Sequence, residues 1–376
     1  MSSLFDLSKL TQEEILALKQ FSLFPPQPLP FEYAQKWFEQ ENSDILNDLS
    51  NKGWLIKTEA GFYMHHVISD VVKYENKPSY KECYGLVDMM GDDLNFDVTE
   101  IFTTRLPILP FGEKVAKHFG GIEDENIADL IHNTGYIYKY LGEYDRALEF
   151  YGKALEIQEK ILGKEHPDTA TTYNNMAIVY DNQGEYDKAL ELYGQALEIK
   201  EKILGKEHRL TATTYNNMAI VYKNQGEYNR ALELYGKVLE ISEKILGKKH
   251  RLTATTYNNM AVVYEKQGEY DRALEFYGKA LAIDEKILGK EHPSTAMTYN
   301  NIALVYYNQD KYDLALGLYL KSYKIFISKL SENHHYTKNT YIGLKKTYLK
   351  KHPTQTPADF ERWLEEQMSA DNLVMI

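Results

Sequence analysis

The chain has 376 residues, 43 Lys and Arg against 55 Asp and Glu, and a single cysteine, Cys83. One cysteine excludes an intrachain disulfide framework, which is typical of a reducing compartment, so we expect a cytoplasmic protein. Residues 1–125 contain 11 Lys and Arg against 21 Asp and Glu, a charge balance that argues against nucleic acid as a partner. The sequence has neither the basic and then apolar start of a secretion signal nor a run of about 18 apolar residues. We therefore expect no membrane association.

The first 75 residues predict a small domain of helices and one hairpin. Thr11 and Glu14 form a capping-box pattern at the start of the first helix, and prolines from Pro25 onward end it. A Glu-Ala-Gly turn then separates two short strands. The predicted elements lie at residues 9–24, 31–41, 43–51, 54–58, 61–65 and 67–72. Three helices, a hairpin and a closing helix, in this order, predict a winged-helix domain over residues 1–75.

Residues 76–125 have a less regular pattern. Prolines punctuate two predicted helices near residues 79–90 and 111–119. We interpret this segment as a helical connector.

From residue 126 the chain repeats itself with a period of 42 residues. In the most regular copy, apolar residues from Tyr173 to Tyr180 keep the spacing of one helix face and predict a first helix, helix A. Gly184 ends it, and a second apolar pattern from Asp187 predicts a helix B of about 18 residues. Residues 126–351 are predicted to hold five such pairs and one more helix A.

The joint between repeats carries a recurring threonine and a recurring histidine. The threonine is predicted to cap the next helix A, and it occurs at Thr169, Thr211, Thr253, Thr295 and Thr337. The histidines occur at His166, His208, His250, His292 and His334. Packed helices stand about 8–10 Å apart, too far for equivalent histidines to share a metal ion, so we predict no metal site.

Residues 352–376 predict a last helix and a tail. Pro353 and Pro357 isolate an amphipathic segment in which Phe360, Trp363 and Leu364 share a face. We expect this helix to cover the end of the repeats, although the final residues could equally be the edge of a longer chain.

The repeat resembles the tetratricopeptide repeat (TPR). The residues that carry the resemblance are Tyr173, Met176, Ala177, Tyr180, Gly184, Tyr186, Ala189, Tyr193 and Ala196. The 42-residue length and the LGKEHP joint are similar to the kinesin-light-chain subclass. This resemblance implies a mainly α fold, a right-handed α-solenoid of helix pairs that binds a protein or peptide in its concave groove.

The N-terminal segment is similar to the winged-helix domain of STAND-type ATPases, the class that contains NB-ARC and other NLR-like proteins. FSLFP at residues 21–25, the Gly53-Trp54-Leu55 step and Met64-His65-His66 carry this similarity. It implies that His65 approaches the phosphates of a bound nucleotide, although His66 replaces the family's aspartate. The chain contains no GxxxxGK[ST] loop. His65 could therefore meet a nucleotide only if a nucleotide-binding domain is present elsewhere.

The candidate binding residues lie on the A helices, on the face that does not pack within the pair. Two interpretations are open for the asparagine pairs, which either grip a ligand or bond between adjacent helices and hold the stack together. Positions that differ between repeats are candidates for specificity. The predicted groove residues are Asn174, Asn175, Ile178, Asp181, Asn182, Asn216, Asn217, Ile220, Lys223, Asn224, Asn258, Asn259, Val262, Glu265, Lys266, Asn300, Asn301 and Tyr307.

The sequence predicts a recognition module, the sensor portion of a STAND or NLR-like signalling protein. No catalytic constellation stands out, so we predict neither an enzyme nor a cofactor of its own. Two alternatives remain open, a peptide-responsive transcription regulator whose winged helix binds DNA and a purely structural scaffold. Asp44 and Asp48 on the predicted third helix count against DNA binding.

Overall fold

The computed structural model describes residues 6–38, 44–95 and 105–370. The chain divides into two compact units, residues 1–203 and 204–376, and the division falls inside the repeats. Each unit is described by itself below. Apart from one short hairpin, the regular structure of the described residues is helical.

The N-terminal elements follow the predicted order. A single turn of 3-10 helix, Leu7–Lys9, precedes them. They are α1 (Gln12–Ser22), α2 (Phe31–Phe38), α3 (Ile45–Asn51), β1 (Ile56–Thr58), β2 (Gly61–Tyr63) and α4 (His66–Glu75). The predicted end of the second helix and the predicted start of the third helix fall within residues 39–43, which lie outside the described residues. The capping box at Thr11 and Glu14 is present in the structure.

The hairpin is held by backbone pairing and by one glycine. Ile56 pairs with Tyr63 and Thr58 with Gly61, and Leu29 adds a further bridge to Phe62. At Gly61, φ is 144°, and a Cβ atom there would lie 1.8 Å from the Leu29 carbonyl oxygen. Only glycine allows this close approach of two backbone segments.

The connector contains α5 (Tyr80–Leu94) and α6 (Leu109–Phe119). Buried Asp93 joins α5 to α2, because its Oδ2 accepts a hydrogen bond of 2.8 Å from Trp37 Nε1 and its carboxylate also pairs with Lys36. The aromatic rings of α1, α2 and α6 meet at Phe24, whose ring centre lies 5.2 Å from that of Phe111. The connector and the N-terminal elements therefore share one core.

The repeats form five helix pairs, followed by one further helix A and a last helix. In the first unit the pairs are α7 (Glu125–Tyr140) with α8 (Tyr144–Ile161), and α9 (Pro167–Asn182) with α10 (Tyr186–Leu204). In the second unit they are α11 (Arg209–Asn224) with α12 (Tyr228–Leu246), α13 (Arg251–Lys266) with α14 (Tyr270–Ile287), and α15 (Pro293–Asn308) with α16 (Tyr312–Lys329). Then come α17 (His335–Lys351) and α18 (Pro357–Ala370).

The prediction that the recurring threonine caps helix A is wrong, because the histidine of the joint is the cap. His166 Nδ1 accepts a hydrogen bond of 3.3 Å from the Asp168 backbone N–H. Thr169 lies within the first turn, and its hydroxyl donates to the Gly163 carbonyl oxygen at 2.9 Å. Helix A begins three residues earlier than the threonine implied, because the imidazole satisfies an amide that has no partner in the helix. The same histidine cap occurs at His208, His250, His292 and His334.

Each pair packs through alanines and one large tyrosine. Tyr277 of α14 is fully buried, and Ala261 and Ala273 in the same cluster have no exposed surface. Such small side chains let the helix backbones approach closely and leave room for the ring. The equivalent tyrosines Tyr151, Tyr193 and Tyr235 are also buried.

The glycines inside helix B face open space. At Gly152, Gly194, Gly236 and Gly278, an added Cβ would meet no atom within 4 Å in the described part of the chain. The sequence left open whether these glycines allow a close backbone approach. Within the described residues no such approach exists.

We expect Gly236→Ala to raise the free energy of unfolding by about 1 kcal/mol, since alanine restricts the unfolded chain and has the higher helix propensity. Urea denaturation of the full chain measures this. Gly135→Ala is the matched control, because a Cβ there would lie 3.2 Å from both the Ala147 oxygen and the Phe150 Cβ. A gain at Gly135 as large as at Gly236 would contradict this account.

The last helix covers α17. Phe360 of α18 is fully buried, and its ring centre lies 5.6 Å from that of Tyr341 and 5.5 Å from that of Tyr348. Leu364, one turn later, is buried in the same cluster. The amphipathic helix of residues 357–370 therefore packs on α17, the last helix A.

Candidate functional site

The predicted groove residues lie on α9, α11, α13 and α15, at equivalent positions of each helix A. Asn174 and Asn175 are buried, whereas the asparagine pairs of α11, α13 and α15 are half-buried. Ile178, Ile220 and Val262 are half-buried as well. Asn182, Asn224 and Lys266, at the C-terminal ends of their helices, are exposed. Burial of the asparagines indicates that they have neighbours within the protein.

In the repeats of α9 and α13, the second residue of the pair bonds to the side chain at the first position of the preceding repeat. In the first unit, Asn175 Nδ2 donates to His132 Nε2 at 3.0 Å. In the second unit, Asn259 Nδ2 donates to Asn216 Oδ1 at 3.2 Å. His132 stands 42 residues before Asn174, so it occupies the same repeat position as Asn216. We call these linked side chains the amide ladder.

In the repeats of α7, α13 and α15, the side chain at the first position of the pair also bonds to a threonine of the next helix A. Asn258 Nδ2 donates to Thr298 Oγ1 at 3.2 Å, and Thr340 Oγ1 donates to Asn300 Oδ1 at 2.9 Å. The His132 ring makes the same contact with Thr172 at 2.9 Å. These bonds correspond to the second interpretation of the asparagines, in which they join adjacent helices. Direct ligand contact by the asparagines stays a prediction.

His132 was not predicted from the sequence, although its place in the 42-residue period could have identified it. Its Nε2 accepts from Asn175, so the ring proton lies on Nδ1 and is donated to Thr172. Thr172 in turn donates to Gln158 Oε1 at 2.7 Å. Burial lowers the pKa of His132 to about 4, and the nearby Lys139 ammonium acts in the same direction. The neutral imidazole is therefore part of the hydrogen-bond chain.

This pKa shift predicts a pH-dependent stability. Between about pH 6.5, where histidine titrates in the unfolded chain, and pH 4, the unfolded state binds more protons than the folded state. The free energy of unfolding is thus expected to fall as the pH is lowered through this window, by up to about 3 kcal/mol. Denaturation of the full chain at pH 7 and pH 4.5 measures this.

His132→Asn is the control, because asparagine is the residue found at this position in the following repeats. In the variant, the part of the pH dependence of stability that comes from His132 is expected to disappear. The part that comes from the carboxylates should remain, because they titrate in both proteins. An equal loss of stability on acidification in both proteins would contradict the role of His132.

The most variable position on this face changes charge from repeat to repeat. It is occupied by Lys139, Asp181, Lys223, Glu265 and Tyr307, all of them half-buried. Burial lowers the pKa of Lys139 to about 8, and burial raises the pKa of Glu265. The Lys139 ammonium lies 3.8 Å from the ring centre of Tyr136 and 4.6 Å from that of Tyr140, within range of cation–π attraction. Charges of both signs therefore alternate along the A helices.

His65 is an exposed N-cap in the structure. Its Nδ1 accepts a hydrogen bond of 3.3 Å from the Val67 backbone N–H, and its ring lies 4.2 Å from the ring centre of His66. A nucleotide contact by His65 stays a prediction.

Among residues 6–38, 44–95 and 105–370, no three His, Cys, Asp or Glu side chains are grouped so that they could hold a metal ion. Within the same residues, no helix combines the length and the apolar character needed to cross a membrane.

Comparison with known proteins supports the assignment of the repeats. The model of the tetratricopeptide repeat matches residues 126–202, 210–286, 252–326 and 294–353, more than half of the chain. A nucleotide-binding leucine-rich repeat (NLR)-like protein of Hyaloscypha variabilis is 49% identical over 45 residues. This match covers 12% of the present chain and 4% of that protein.

Two solved structures share the fold. The crystal structure of BtubC (BKLC) from P. vanneervenii is 24% identical, with a TM-score of 0.50 over 64% of this chain and 94% of that one. A Signal Transduction ATPase with Numerous Domains (STAND) protein with a tetratricopeptide repeat sensor, from Pyrococcus horikoshii, is 17% identical with a TM-score of 0.52. Here the match covers 97% of this chain and 57% of that protein. The chain is mainly α, its repeats form an α-solenoid of helix pairs, and it belongs to the tetratricopeptide repeat family.

Proposed function

We propose that this chain is a protein-recognition module, in which the A helices bind a segment of a partner protein or a peptide. The observation that carries the proposal is the contrast within near-identical repeats. The asparagine positions repeat unchanged from α9 to α15, and Asn175, Asn258, Asn259 and Asn300 bond between helices, whereas a position about two turns later changes from Asp181 to Lys223, Glu265 and Tyr307. A surface whose side chains differ from repeat to repeat can distinguish between extended partner segments of different sequence.

The partner would meet the variable side chains first. Lys266 is exposed at the end of α13, and Tyr307 is half-buried near the end of α15, where the Lys346 ammonium lies 5.0 Å from its ring centre. Tyrosine is among the residue types that most often carry binding energy at protein interfaces. The asparagines would then act mainly by fixing the spacing between adjacent A helices.

The N-terminal part has a second role in this proposal. Residues 1–75 act as a winged-helix domain and residues 76–125 as a connector, while residues 126–351 form the sensor and 352–376 its cap and tail. In the STAND arrangement these parts would work together, in the cytoplasm, with a nucleotide-binding domain outside this chain. The fold shared with the Pyrococcus horikoshii protein and the short NLR-like match support this arrangement.

Binding of DNA by the N-terminal domain is not part of the proposal. The cation at the end of α3, Lys52, pairs with Glu14, and Lys57 of β1 donates to Asn47. These contacts engage positive groups that a phosphate backbone would need.

The experiment compares capture by the full chain with capture by a surface variant. Wild type, Lys266→Glu/Tyr307→Ala and the control Glu240→Lys serve as bait in lysate of the source organism, with quantitative mass spectrometry of the bound proteins. Glu240 is exposed on α12, away from the A helices. We expect at least one protein to be enriched by wild type and by the control and to be lost with the double variant. Equal enrichment by all three proteins would overturn the proposal that the A helices form the binding surface.

A further inference from the structure

One half-buried carboxylate of the second unit has no cationic partner. Glu265 lies in the last turn of α13, and within the described residues it forms neither an ion pair nor a hydrogen bond through its side chain. More exposed carboxylates close to it in the sequence are paired, since Glu269 contacts Arg272 at 3.0 Å and Glu275 contacts Lys279 at 2.6 Å. Removing a carboxylate from water costs free energy unless a cation or hydrogen-bond donors replace the water. Glu265 therefore lacks the partner that its burial requires.

Two buried tyrosines of consecutive helix pairs interact with this carboxylate. They are Tyr277 on α14 and Tyr319 on α16. Burial raises the pKa of both hydroxyls, and the charge of Glu265 raises both pKa values further. The Tyr277 side chain has no exposed surface, and its hydroxyl has no hydrogen-bond partner within the described part of the chain. This hydroxyl is therefore a donor that remains available to the carboxylate of Glu265.

The group that best complements Glu265 is a cation with N–H donors. Burial raises the pKa of Glu265, and the ammonium of the adjacent Lys266 offsets this only in part, so the charge of the carboxylate is not fully compensated. A metal ion needs several oxygen ligands, whereas one carboxylate is enough to pair with an ammonium or a guanidinium. At the equivalent position of α7, the ammonium of Lys139 lies 3.8 Å from the ring centre of Tyr136. A cationic side chain is therefore compatible with the packing at this level of an A helix.

We propose that Glu265 binds the ammonium or guanidinium group of one Lys or Arg side chain in the partner segment, while the Tyr277 hydroxyl donates to the same carboxylate. The inference rests on the proposed function, namely that the A helices bind a protein segment, and it specifies the charge of one residue in that segment. A cation placed one repeat earlier would meet Lys223 at the equivalent position of α11. Because like charges repel, the pair with Glu265 also determines the register of the segment on the repeats.

The test selects peptides that bind the full chain from a phage-displayed library of random sequences. We expect the peptides selected by wild type to share a Lys or Arg at one aligned position. Glu265→Lys should select Asp or Glu at that position, because reversing the charge of the site reverses its preference. Both α7 and α11 carry lysine at the position of Glu265, so the fold accommodates this substitution. The matched control Glu240→Lys makes the same change of charge on exposed α12 and should keep the preference of wild type.

Fluorescence anisotropy with one selected peptide then measures the pair directly. Replacing the shared Lys or Arg of the peptide by Met should weaken binding to wild type about tenfold or more. The same replacement should leave binding to Glu265→Gln nearly unchanged, because the two changes remove one and the same interaction. Tyr277→Phe should weaken binding about threefold, the effect of one lost hydrogen bond. Thermal unfolding verifies that each variant is folded.

Three outcomes would overturn the inference. They are selected peptides without a shared cation, an unchanged preference for Lys or Arg with Glu265→Lys, and competition by free spermidine at the affinity of the peptide, which would indicate a site for small amines. The proposed function fails separately. If no peptide binds saturably up to about 1 mM, the A helices recognise no segment and both ideas fall. Peptides that bind without a shared cation would remove only the role of Glu265.

Discussion

Tyr277→Ala is expected to lower the free energy of unfolding by about 3–5 kcal/mol, the cost of removing a large aromatic side chain from a packed core. The ring is fully buried between α13 and α14, against Ala261, Ala273, Ile302 and Val305. The two alanines carry too few atoms to move into the space that the ring leaves. Hydrogen exchange of the full chain, read by mass spectrometry, measures the loss in these helices, and it does not require two-state unfolding of a repeat protein.

Tyr277→Phe separates the ring from its hydroxyl. The Tyr277 hydroxyl is buried and has no hydrogen-bond partner within the described residues, and burial raises its pKa. Removing a buried polar group that lacks a partner is expected to leave the stability unchanged or to raise it. If Tyr277→Phe were as harmful as Tyr277→Ala, the hydroxyl rather than the packing of the ring would stabilise the pair.

Phe360→Ala is expected to release α18 from the end of the second unit. Phe360 has no exposed surface and contacts the rings of Tyr341, Tyr348 and Trp363. Truncation costs about 3–5 kcal/mol at this one contact, and a terminal helix of a repeat protein has a neighbour on one side only. We therefore expect residues 357–370 to exchange their amide hydrogens faster, while α13 and α14 keep their protection.

The control for this prediction is Glu366→Ala on the exposed face of α18. It should leave the exchange of residues 357–370 unchanged. Protection of α18 in Phe360→Ala equal to that in wild type would show that other contacts, such as that of Leu364, are sufficient. Loss of protection throughout the second unit would show instead that the repeats unfold together with their cap.

Periodic features of this chain could be predicted because each repeat gives the same local information several times. The five pairs, the glycine after each of the first four A helices and the apolar face of α18 depend on helical spacing and on residues that tolerate a positive φ, such as Gly184 at 77°. The cap of helix A was predicted wrongly because threonine is the commoner capping residue. The neighbouring histidine competes for the same amide, and only its actual geometry identifies it.

The candidate site stays a prediction, both in its residues and in their role. Helical periodicity predicts that Asn216, Asn258 and Asn300 lie on the same face of their A helices. It could not decide whether an amide contacts a ligand or the next helix, because that depends on the distance between helices that are 42 residues apart in the chain. The role of His132 was missed for the same reason.

The sequence by itself determined the helix pairs and their number, since these follow from local spacing within each repeat. Only the tertiary structure decided that side chains of the amide ladder bond across repeats and that a cavity lies between α11, α12 and α13. Both depend on how side chains of different repeats fill the space between three packed helices. The space beside a short buried side chain is either filled by its neighbours or left open. Those neighbours are determined by packing and not by position along the chain.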